Sequence, residues 1–206
     1  MSGSAGNENR LEGTSRLAKV LEKRYSAEEA SCLAAMLRFG CRKDSISYSE
    51  IEIDPQVKDD MILLAYEERM LLPMKSIRGS AWEDRILDYS DHERYNMPLV
   101  VRLLVGNAEE TGEWAPESAA RKALIEVGES RVPEVLRLLA ELQPMASQGI
   151  EAGVMQAVAQ RLGIELDMHD TIDRFVRCGI ISPKTQRSLH SGFAKYEMNP
   201  CLSWRS

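Results

Sequence analysis

Three stretches gather side chains that could do chemistry. Asp88, Asp91, His92 and Glu93 crowd into "DYSDHERY", Asp167, His169 and Asp170 into "DMHD", and Lys184, Arg187, His190 and Lys195 punctuate a polar run near the end of the chain. The first invites a cation. A hard cation wants several oxygens, and a transition metal wants more than one imidazole or thiolate at workable spacing. One histidine in a charged loop meets neither need, so we read it as a solvated turn. "DMHD" reads as a helix start, with Asp167 as the cap and acids favoured by the helix dipole. No metal site and no cofactor are assigned.

Catalysis has little footing, and no catalytic residue is assigned. The chain lacks a nucleophile elbow and a phosphate-cradling glycine loop, and His92, His169 and His190 each stand far in sequence from a nucleophile they could activate. Cys32, Cys41, Cys178 and Cys201 form no CxxC pair and no zinc spacing. With no apolar signal-peptide core, the expected setting is the cytoplasm, with reduced thiols. No window approaches the ~18 apolar residues of a membrane span. The net charge of −6 is uneven: Met1 to Ser130 carries 17 basic and 24 acidic side chains, and Arg131 to Ser206 carries 9 and 8. Contact with a polyanion is therefore expected in the second half.

The elements that would position these residues follow from periodicity. After a polar tail over 1–14, Leu17, Val20 and Leu21 suggest a short helix. Ser26 and Glu29 form a capping box before Ala30, Leu33, Ala34 and Leu37, with Gly40 as the stop. Asp54 as cap and Pro55 at the first position predict a helix to about Met70, carrying Val57, Met61, Leu64 and Ala65 on one face. "MLLPMKS" and "WEDRILDY" then read as a hairpin, with Trp82 and Ile86 inward. Asn96 and Pro98 open an apolar helix that Gly106 ends, "NAEETGEWA" is a loop, and Pro116 to Val127 is a further helix.

The second half repeats this order. A helix opens at Pro133 with Val135, Leu138, Leu139 and Leu142. A second carries Val154, Val158 and Leu162 to Gly163, and a third, from Asp167, turns Met168, Ile172, Phe175 and Val176 inward before Gly179. "IISP", a polar loop and "FAKYEM" complete it. "IEID" before the first module's third helix matches "IELD" before the second's, "LLP" matches "IISP", and Tyr95-Asn96-Met97-Pro98 matches Tyr196 to Pro200.

The stretch "VMQAVAQRLGIELDMHDTIDRFVRCGIISP" resembles the winged helix-turn-helix family: a second helix ending in "LGI", a turn, a third helix, then "GIIS" into a wing. The resemblance implies a mainly α protein with small β wings, made of two winged helix-turn-helix modules, 15–95 and 131–206, joined by helices over 96–130. It implies a recognition protein, expected to be a DNA-associated transcriptional regulator. The residues that would touch duplex DNA through the second module are Arg174 and Arg177, late on the third helix, and Lys184, Arg187, His190 and Lys195 in the wing. The alternative is a protein-interaction module. Asp167, Asp170 and Asp173 would stand where bases are read, and Asp54, Asp59, Asp60, Glu67 and Glu68 outnumber Lys58 and Arg69 on the first module's third helix. Such surfaces suit a basic protein partner. "MPLVVRLLV" and "VPEVLRLLAELQPM" carry more apolar residues than one stripe needs, and would pack the modules together or form a homodimer.

Overall fold

The computed structural model describes residues 16–184 and 194–204. The 1–14 tail, Arg187 and His190 lie outside them. The fold is mainly helical, with two small three-stranded antiparallel sheets. The first unit contains α1 (16–21), α2 (Ala27–Cys41), β1 (Ile46–Ser47), a 3-10 turn (Tyr48–Glu50), α3 (Lys58–Glu67), β2 (Leu72–Pro73), a second 3-10 turn (Trp82–Asp84) and β3 (Arg94–Asn96). α4 (Leu99–Thr111) and α5 (Pro116–Glu126) follow. The second unit contains α6 (Val132–Leu142), β4 (Ile150–Glu151), α7 (Ala152–Arg161), α8 (Met168–Cys178), β5 (Ile181–Pro183) and β6 (Lys195–Met198).

Each sheet places its last strand in the middle, in the orders β1-β3-β2 and β4-β6-β5. The two units share this strand order, and a 3-10 turn in the first occupies the place that α7 holds in the second. The registers carry the repeat further. Tyr95 on β3 lies opposite Ile46 and Pro73, and Tyr196 on β6 lies opposite Ile150 and Pro183. Proline is tolerated at both positions because β2 and β5 are edge strands, where a missing amide interrupts no ladder on the outer side.

Local chemistry explains where elements begin and end. The capping box at Ser26 is formed: its hydroxyl accepts from Glu29 N–H at 3.3 Å, and Glu29 Oε2 accepts from Ser26 N–H at 2.9 Å. Gly40 does not stop α2. It lies inside the helix, buried, where a Cβ would stand 3.0 Å from Met97 Cε, so its role is close packing. Asp54 does not cap α3, because its Oδ1 accepts from Gln56 N–H at 2.9 Å and shapes a turn, leaving the helix to begin at Lys58.

The hairpin partner of β2 is Arg94–Asn96 rather than "WEDRILDY". Trp82–Asp84 is a 3-10 turn, and only the bridge Ser76–Arg85 pairs across that loop. Gly106 does not end α4, which runs through "NAEET" to Thr111 and closes on Gly112 at φ +77°. A mid-helix glycine costs about 1 kcal/mol, less than the burial of Val105 and Ala108 gained around it. α7 buries Met155, Val158 and Ala159 while Val154 faces solvent.

A single continuous apolar cluster runs through both sheets' helices and through α4 and α5. Both surplus apolar runs are largely spent in it: Val100, Val101, Leu104 and Val105 on α4, and Val135, Leu136, Leu138 and Leu142 on α6. The segment Asn199–Trp204 ties the halves together. Asn199, fully buried, donates to Gly179 O at 3.2 Å and to Arg69 O at 3.3 Å. Trp114 donates to Cys201 O at 3.0 Å and stacks on Trp204 at 4.6 Å, while the Arg24 guanidinium lies 4.3 Å over the Trp204 ring. Nearby, Trp82 N–H donates to Ser182 Oγ at 2.9 Å.

Candidate recognition surface

α8 is built as its sequence dictates. Asp167 caps it, accepting from His169 N–H at 2.9 Å and Asp170 N–H at 3.1 Å, and Gly179 at φ +72° releases the chain into β5. Thr171, Phe175 and Cys178 are buried, and Met168, Ile172 and Val176 are half-buried against the core. The solvent face therefore carries His169, Asp170, Asp173 and Arg177. Two carboxylates, one imidazole and one guanidinium are a poor match to a phosphate-lined groove.

The basic residues expected to meet DNA are dispersed. Arg174 reaches back to Glu129, 2.7 Å from its Oε2, and that carboxylate is only 2% exposed. Glu129 also accepts from Arg131 N–H at 2.7 Å, so the pair fixes the turn from α5 into α6 against α8. Arg177 is exposed and 3.9 Å from Asp173, one turn earlier. Lys184, half-buried, donates its backbone N–H to Lys195 O at 2.7 Å. Its charge acts on Glu197, which also feels Glu83 from the segment between β2 and β3. Lys195 is half-buried, with its aliphatic stem packed over Gly149.

Glu197, on β6, lies where the second sheet meets the end of α3. Burial pushes its carboxyl above the ordinary range, opposed by Arg69 3.3 Å away and by Lys184. Arg69 reaches this position because its backbone turns left-handed at φ 56°, which removes it from the outer face of α3. Glu68 turns away likewise, 4.0 Å from Arg24.

What remains on α3 is a compact acidic and apolar face. Asp59, Asp60 and Glu67 are exposed, and Leu63, between them, is 38% exposed. Tyr89 from the β2–β3 loop lies alongside, 37% exposed, and the charges of Asp59, Asp60 and Glu67, after burial, raise its phenol above the ordinary value. Tyr48 meets Tyr89 edge to face at 6.4 Å, donates to Asp59 Oδ1 at 2.7 Å, and carries Lys58 over its ring at 4.1 Å. The acids were readable in the sequence. Leu63 and the two tyrosines were not singled out, although Asp59, Leu63 and Glu67 repeat at i, i+4, the spacing of one helical stripe.

The thiols and acids elsewhere are differently placed. Burial pushes the Cys41 and Cys178 thiols up to about 12, and it also raises that of the fully buried Cys201 well above the ordinary thiol value. All four cysteines are free. In the β2–β3 loop Asp88 pairs with Lys75 at 3.7 Å while Glu93 is buried. Among the described residues no group of three or more His, Cys, Asp and Glu is arranged to hold a metal ion, and no helix is long and apolar enough to cross a membrane.

A family model matches the chain over residues 15–204, and the chain belongs to that family, whose description assigns no activity. No curated protein and no solved structure matches it.

Proposed function

We propose that this is a non-enzymatic recognition protein of the tandem winged-helix class, working in the cytoplasm, whose acidic third helices dock a basic protein partner. The observation that carries the reading is the outer face of α3, where Asp59, Asp60 and Glu67 surround exposed Leu63 beside Tyr89. An apolar centre with a charged rim is the usual anatomy of a protein interface, and tyrosine is enriched in such interfaces. Opposite charge on the partner would raise the association rate and suppress wrong partners. The DNA-associated regulator is the competing reading. It rests on Arg177, Lys184 and Lys195 together with Arg187 and His190, and loses much of its support because Arg174 is engaged by Glu129.

Photocrosslinking from a benzophenone side chain at Leu63 tests this. The expected product is a net-basic protein whose capture is lost in Asp59→Lys/Asp60→Lys. Capture that ignores the charge reversal refutes the reading.

A further inference from the structure

We propose that the groove between α5 and α6 binds a small apolar carboxylate. The groove measures about 380 Å3, within the usual range for small-molecule sites. Its floor is Ala120 from α5, Leu136 and Leu139 from α6, and Leu202 from the C-terminal segment, all of them buried residues whose remaining surface faces the groove. Pro116 and Pro133, at the starts of the two helices, extend this apolar lining without adding amide donors.

The rim sets the ligand's charge. Arg121 is 2.9 Å from Glu117, so those two charges offset each other. Arg137 also lines the groove and has no ion-pair or hydrogen-bond partner among the described residues. The net rim charge is therefore one positive guanidinium, whose planar fork suits a carboxylate. Gln143 does not compete for the ligand, because its amide donates to Leu202 O at 2.6 Å. An apolar floor with a single uncompensated cation selects a monoanion with a hydrocarbon or aryl body. A polyphosphate would leave charge against leucine, and a neutral hydrocarbon would leave Arg137 unused. Leu202 gives the site reach, since it sits between Cys201 and Trp204, which hold the C-terminal segment against the turn after α1, the end of α3 and the loop between α4 and α5.

The test uses the full chain and 8-anilinonaphthalene-1-sulfonate as a fluorescent apolar monoanion, displaced by dodecanoate below its micelle concentration. Saturable probe binding is expected, with displacement by dodecanoate and none by dodecyltrimethylammonium, which has the same tail and the opposite charge. Arg137→Gln is expected to weaken dodecanoate about tenfold, the strength of one charge-assisted contact. Ala140→Trp, an exposed groove position, should fill the groove and abolish binding without lowering the melting temperature. Absence of probe binding, equal displacement by the cation, or unchanged affinity in both variants overturns the proposal. So does a dimer that Ala140→Trp dissociates and dodecanoate leaves intact.

Discussion

Arg174→Ala separates a structural arginine from a nucleic-acid contact, and its cost can be worked from the geometry. Glu129 keeps only 2% of its side chain exposed, and one of its oxygens is 2.7 Å from Arg174. Truncating the arginine leaves that oxygen buried beside no cation, while the other keeps the Arg131 amide. Breaking one side of a buried pair costs about 3 to 5 kcal/mol. Because Arg174 is 30% exposed and water can reach its end of the pair, the lower figure, about 3 kcal/mol, applies. With a urea dependence of roughly 2 kcal/mol per molar, the unfolding midpoint should fall by roughly 1.5 M. Arg177→Ala is the control, since its pair with Asp173 spans 3.9 Å between side chains more than half exposed. It should cost less than about 0.5 kcal/mol. Glu129→Gln in the Arg174→Ala background should recover part of the loss, because it removes the uncompensated charge. Equal and small midpoint shifts for Arg174→Ala and Arg177→Ala would refute the structural role and return Arg174 to the surface.

Gly179→Ala should lose about 2 to 4 kcal/mol by the same urea assay, from the left-handed backbone and from a new methyl 2.4 Å from Pro98 Cβ. Gly163→Ala, equally left-handed with open space around it, should lose only about 1 kcal/mol, and equal losses would mean that Pro98 does not abut the turn. Ser182→Ala should cost about 1 to 3 kcal/mol by stranding the buried Trp82 amide, and a neutral result would place water at that seam. Glu197 has a folded-state pKa raised by burial, so the folded protein holds its proton more tightly than the unfolded chain and that contribution is lost as pH rises through the folded pKa. The stability of Glu197→Gln relative to wild type should therefore improve between pH 4 and 7. A change of the opposite sign would mean that Arg69 outweighs burial.

Much of the architecture was legible because it rests on local rules. Ser26 with Glu29, Asp167 with Gly179, and Pro116 and Pro133 at helix starts act within one or two turns. The matched Tyr95 and Tyr196 segments marked the repeat that the two sheet registers display. The failures are tertiary. Gly106 reads as a stop until the burial of Val105 and Ala108 carries α4 past it, and "WEDRILDY" reads as a strand until Trp82 and Ser182 meet across the seam. Arg69, Glu68 and Arg174 looked like surface charges because the partners of the first and last, Glu197 and Glu129, are 128 and 45 residues away in sequence, and Glu68's partner Arg24 lies in the turn between α1 and α2. The acidity of α3 and α8 was visible from the start, but the apolar centre at Leu63 and Tyr89 needed the fold to bring α3 and the β2–β3 loop together.

Fluorescence anisotropy with generic duplex DNA at low ionic strength bears most directly on the proposal that these acidic helices dock a protein rather than DNA, since phosphate attraction is then strongest. The predicted result is no saturable binding by the wild-type chain and none by Arg177→Glu/Lys195→Glu. Saturable wild-type binding that weakens with salt and disappears in that variant would contradict the account.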